Sequence, residues 1–146
     1  MDSIRIDTGV KRIAINDDPT RVITFNPNDV AFAERFYSLI REFEDKQVEY
    51  ETRSKELDAH KDELDEHGLP VNVGEGLAFL REVCEFMCGR IDHLFGPGTS
   101  RIAFGDALTL EMFEQFFTGI TPFIQSAREE KILRYTNQKQ SGRVMK

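Results

Sequence analysis

The chain has 146 residues, 40% of them hydrophobic, and its 19 basic and 26 acidic side chains give a net charge of −7. A chain of this length buries roughly two-thirds of its unfolded surface and so supports one domain with a sizeable core, while the acidic balance argues against a broad contact with nucleic-acid phosphates. No stretch approaches the roughly 20 apolar residues of a membrane span, and the opening MDSIRIDTGVKR holds no apolar run of signal-peptide length, so a soluble, intracellular protein is expected.

Three short alternating runs come first: Ile4 and Ile6 in SIRID, Ile13 and Ile15 in RIAI, Ile23 and Phe25 in RVITF. Period two with β-branched residues predicts strands. With bends at Gly9 and Pro19, they make a three-stranded antiparallel meander whose apolar face needs a helix over it. Pro27 ends the third run, and Asn28 or Asp29 is placed to cap a helix on which Ala33, Phe36, Ile40 and Phe43 share one stripe.

Residues 44–67 hold ten acidic and four basic side chains and no Gly or Pro. Helix is expected to continue to Glu66, which from Asp29 is about 57 Å at 1.5 Å per residue, longer than the roughly 40 Å diameter of a compact chain of this size. The first helix should therefore carry an acidic arm past the body, largely solvated. Tyr50, Leu57 and Leu64 continue a sparse seven-residue stripe along it, enough to rest on another helix.

A loop over residues 67–76 leads to a second helix with Leu77, Leu80, Cys84, Met87, Ile91 and Leu94 on one side and Phe79, Val83 and Phe86 widening the apolar face. Residues 108–135 supply a third, with Phe113, Phe116, Phe117, Ile120 and Ile124 as its stripe and a kink or short break near Thr121, where Pro122 removes an amide. After Tyr135 the polar, basic TNQKQSGRVMK lacks periodicity and reads as a disordered tail. The expected architecture is mostly helical α+β. A single domain spans 1–135, built from the meander and a bundle of three main helices with the arm at 44–67, followed by the tail at 136–146.

The glycine-rich LFGPGTSRIAFG raises the question of a phosphate cradle. It follows a helix rather than a strand, its glycines at 96, 98 and 105 are wrongly spaced, and it holds no lysine, so it is neither a P-loop nor a dinucleotide fingerprint. It reads as a hinge. Gly96 ends the second helix, Thr99 or Ser100 caps a short helical turn, and Gly105 closes it. Cys84 and Cys88 are expected as reduced core thiols, and neither they with His93 nor His60 with His67 complete a metal set. No catalytic, cofactor or metal residue is singled out, and an enzyme is not expected.

Three stretches, FNPNDVAFAERFYSLI, IDHLFGPGTSRIAFG and FEQFFTGITPFIQSAREEKILRY, resemble the tail assembly chaperones of long-tailed phages and prophages of Gram-positive bacteria. The resemblance implies a non-enzymatic protein of the host cytoplasm, absent from the mature particle. It would keep the apolar tape measure protein soluble and, through a frameshifted longer form, meet the major tail protein. It brings no catalytic residues. On this reading partner contact or self-association is expected on Phe113, Phe116, Phe117 and Ile120, with Tyr50, Leu57 and Leu64 of the arm as a second contact. The charge run supports a different reading, an acidic helical inhibitor that mimics nucleic acid in a basic cleft.

Overall fold

Asn16 and Asp17, with φ of 53° and 59°, form the tight turn that joins β1 (Lys11–Ile15) to β2 (Asp18–Phe25) in the computed structural model, which describes residues 1–144, with side chains through Ala127. Asn and Asp are the non-glycine residues that best tolerate this left-handed backbone, and a turn with both central φ positive matches the twist of a hairpin. The strands are antiparallel, with Lys11 opposite Phe25 and Ile13 opposite Ile23. Pairing jumps from Ala14↔Val22 to Ile15↔Asp18, leaving Pro19, Thr20 and Arg21 opposite no β1 residue. Pro19 therefore sits within β2 where its missing N–H costs no ladder bond, rather than making the bend.

The sheet has two strands, and the expected three-stranded meander is wrong in its first member. Residues 1–10 form no strand, and Ile4 and Ile6 are 82% and 75% exposed. The reason is the fastening just after them. The Asn26 amide donates to the carbonyl of Thr8 (2.5 Å), and the Asn28 amide lies 3.5 Å from that of Gly9, so the chain runs on past the end of the ladder instead of turning back along β1. Gly9 has φ of 89° and no room for a Cβ, which would stand 2.5 Å from the Asn28 amide nitrogen.

Four helices follow, where three main helices and one short turn were expected: α1 (Val30–Asp58), α2 (Val73–Phe95), α3 (Thr99–Phe104) and α4 (Leu110–Val144). Asp29 caps α1, its carboxylate accepting from the Ala31 amide at 3.0 Å. The helix ends at Asp58, not Glu66. Continuing would have set Asp62, Glu63, Asp65 and Glu66 against the negative end of the helix dipole. Instead the Asn72 amide donates to the Leu57 carbonyl (3.0 Å) while Asp65 accepts from the His67 and Leu69 amides, folding residues 59–72 into a closed connection. The α2 helix starts at Val73, four residues before Leu77, despite Gly74 and Gly76 in its first turn.

The acidic segment is not a free arm. Through Asp58 it lies along α2, with Tyr50 against Phe79 and Phe86 (ring centroids 5.7 and 6.2 Å) and Arg53 ion-paired to Glu82, and just before it Glu42 pairs with Arg90 at 3.1 Å. Gly96, with φ of 116°, ends α2, and Gly98 leads into α3, so LFGPGTSRIAFG is a helix–helix turn. Neither Thr99 nor Ser100 caps α3. Asp92 does so from α2, accepting from the Ser100 amide (2.8 Å) and hydroxyl (3.0 Å), while the Thr99 hydroxyl donates back to Gly96. At the other end of α3, Arg21 of β2 donates to the Ile102 and Ala103 carbonyls (3.0 and 2.7 Å).

The core joins all these elements through phenylalanine rings. Phe95 of α2 lies 5.2 Å from Phe25 of β2, 5.5 Å from Phe32 of α1 and 5.3 Å from Phe116 of α4, and Phe104 of α3 packs on Phe113 and Phe116. The interplanar angles, 62° to 88°, are the edge-to-face geometry that adds about 0.5–1.5 kcal/mol per pair beyond burial. Ile23, Cys84, Ile91 and Leu94 are completely enclosed beside them. The α4 backbone runs unbroken through Pro122 to Val144, without the break expected near Thr121. The Thr121 hydroxyl donates to the Phe117 carbonyl (2.5 Å), bracing the turn that precedes the proline. The tail expected at 136–146 falls on residues whose side chains lie outside the described ones, and 145–146 lie outside entirely.

A candidate apolar groove between three helices

Phe36, Ile40 and Phe43 recur on α1 at steps of four and three, so one line of side chains faces the same way. Val83 and Met87 of α2 and Leu110, Phe113 and Phe117 of α4 face that line across an open concavity of about 500 Å³. A second concavity of about 380 Å³ continues it toward the far end of α1, between Gln47, Tyr50 and Ser54 on one side and Phe79, Leu80 and Phe86 on the other. The two share Phe43, Val83, Met87 and Leu110, so they form one groove. Its lining is almost wholly hydrocarbon. Ile40, Leu80 and Leu110 stay 38%, 43% and 45% exposed, a contiguous apolar surface of the kind that marks an interaction site.

Charge lies only at the rim. The Lys46 ammonium sits 5.7 Å from the Tyr50 ring centre and 5.3 Å from that of Phe86, within cation–π range, and pairs with Glu49 at 3.1 Å. The Glu49 hydrogen bond raises the lysine pKa. Burial raises that of Tyr50, whose ring forms part of the wall. Glu51 and Glu114 complete the charged edge. Beyond the groove, Arg53 stacks over Phe79 at 4.7 Å and bonds to Glu82, at the entrance to a polar cavity of about 640 Å³ that also takes in Glu56, Leu57, His60 and Glu75. Among the described residues no three of His, Cys, Asp and Glu are grouped to hold a metal ion.

The groove brings together three of the residues expected at a partner contact: Tyr50, Phe113 and Phe117. Phe113 is only 3% exposed, so it forms floor rather than surface. Phe116 and Ile120 belong to the core and face the other flank of α4. Leu57 is half-buried in the polar cavity, and Leu64 stands exposed in the closed connection, bridged to Pro70 and remote from the groove lining. Of the residues that open the groove to solvent, Ile40 and Leu80 were legible only as members of apolar helical faces, and Leu110, ahead of the Phe113–Ile124 stripe, was not singled out. Spacing does not say where three helices fail to close on one another.

A family model for DUF6673, a family of unknown function, matches residues 20–146. The chain belongs to that family. The match begins inside β2 and takes in α1, α2, α3 and α4, hence every residue of the groove. No curated protein and no solved structure matches the chain. Among the described residues of this DUF6673 member no helix is long and apolar enough to cross a membrane.

Proposed function

We propose that this DUF6673 protein is a tail assembly chaperone of a phage or prophage, a non-enzymatic holder that acts in the host cytoplasm and receives apolar helical segments of a tape measure protein. The observation that carries the reading is the open groove between α1, α2 and α4, walled by Phe36, Ile40, Phe43, Leu80, Val83 and Leu110. A helix with apolar side chains at i, i+3, i+4 and i+7 is the partner that such a groove fits. The acidic surface supports it by keeping a protein with an exposed apolar face from clumping with its own kind. The resemblance of three stretches of sequence narrows the client to a tape measure chain and adds the major tail protein as a partner of a longer frameshifted form.

The test is co-expression with a tape measure segment, measuring the client that remains soluble and co-purifies. The wild-type chain should hold it, and Ile40→Asp combined with Leu80→Asp should release it while leaving the fold intact. Binding to a basic globular partner that vanishes with salt, with no capture of the helix, would overturn the chaperone and favour the acidic inhibitor.

A further inference from the structure

Among the described residues β1 pairs with β2 alone, so the outer edge of β1 carries unpaired amides and carbonyls, the template to which another strand adds. Under the hairpin a cavity of about 530 Å³ lies between both strands, α3 and α4, lined by Ile13 and Ile15 of β1, Ile23 of β2, Phe104 of α3 and Met112 and Phe116 of α4 among others. Ala14 also lines it, although its side chain stands on the opposite face of the strand, so the cavity reaches the backbone of β1.

The same chain carries a segment with the right chemistry for this slot. SIRID alternates two β-branched residues with polar ones, as a half-buried strand does, yet Ile4 and Ile6 project into solvent. It cannot serve its own slot while Asn26 and Asn28 hold Thr8 and Gly9 beyond the end of the ladder. We propose that residues 3–7 of a second copy of this chain add as a strand to the free edge of β1, with Ile4 and Ile6 filling the cavity over α4.

Charge favours a copy of this chain as the occupant. Within residues 3–7 the acid is Asp7, at the end that meets β1's start, and β1 offers Lys11 and Arg12 there and no acid. In the antiparallel register that sets Ile4 opposite Ile15 and Ile6 opposite Ile13, Asp7 falls opposite Arg12 on the outer face, a favourable cross-strand pair. Each copy holds both donor strand and acceptor edge, so the exchange either closes reciprocally as a dimer or runs head to tail. It uses a different face from the groove and stands independently of the client reading.

Light scattering on the full chain after size-exclusion chromatography tests it. Wild type should run as a dimer or larger species, and Ile4→Asp/Ile6→Asp should run at monomer mass with an unchanged circular dichroism spectrum. Ile40→Asp/Leu80→Asp in the groove should keep the wild-type mass. In a mixture of light and isotopically heavy chains, carbodiimide should link Asp7 of one to Lys11 of the other. A monomeric wild type, an Ile4/Ile6 variant that keeps the assembled mass, dissociation by the groove variant, or links confined to single chains would each overturn the proposal.

Discussion

Asp92 holds the start of α3 with one carboxylate, accepting from an amide and a hydroxyl of Ser100. A capping acceptor of this kind is worth about 0.5–2 kcal/mol, and Ser100 is nearly enclosed, so its groups have little water to turn to. Asp92→Ala should lower the unfolding free energy by an amount near the upper part of that range, read as a lower urea midpoint with the slope of the transition unchanged. Gly89 offers the opposite case: it lies exposed in the interior of α2 and nothing within 4 Å would meet an added methyl group. Gly89→Ala should raise stability by about 0.5–1 kcal/mol in the same measurement. The thiols give a chemical readout. Burial is the first cause of the raised pKa of both Cys84 and Cys88, so little thiolate forms near neutrality. Alkylation of Cys84 should proceed only as fast as the chain opens, and stability should decline as pH climbs past the ordinary thiol range, because the unfolded chain gives up the proton first.

Elements in this fold are positioned by side chains reaching from their neighbours. Arg21 ties β2 to the C-terminal carbonyls of α3, and its replacement by Ala should cost about 1.5–3 kcal/mol in chemical denaturation, the range for hydrogen bonds that involve a charged group. Such ties explain what sequence made visible and what it hid. The alternation of Ile13 with Ile15 and of Ile23 with Phe25 was enough to locate β1 and β2, and the Phe36–Phe43 stripe to locate α1, because periodicity records which face is buried. SIRID has the same periodicity and forms no strand, since pairing depends on where Asn26 and Asn28 fasten the chain. Likewise the helical propensity of residues 59–66 says nothing of Asn72 reaching back to Leu57, the contact that completes the end of α1. The cap of α3 was sought in Thr99 and Ser100, its immediate neighbours, but comes from Asp92, eight residues before the serine. Of the groove, the apolar faces were legible and the opening between them was not.

At the scale of the whole molecule, the apolar surface left open by α1 and α2 is the property that most needs a partner. Ile40 and Leu80 contribute little to the core, being 38% and 43% exposed, so charges there should leave thermal unfolding within a few degrees of wild type while abolishing capture of an apolar helix. Surface ion pairs such as Arg53 with Glu82 contribute little to stability, and salt should weaken them without opening the groove.

The α4 helix has a hollow on each flank. Met112, Phe116 and Gly119 border the space under the hairpin, and Leu110, Glu114, Phe117 and Thr121 border the groove, so a single layer of side chains divides the two. Across that partition the Phe116 and Phe117 rings stand edge to face, their centres 5.5 Å apart. A guest that pushed Phe117 aside would crowd Phe116 in turn. Affinity at either hollow would then change with occupancy of the other, by the same factor in both directions, as reciprocity of binding free energies demands.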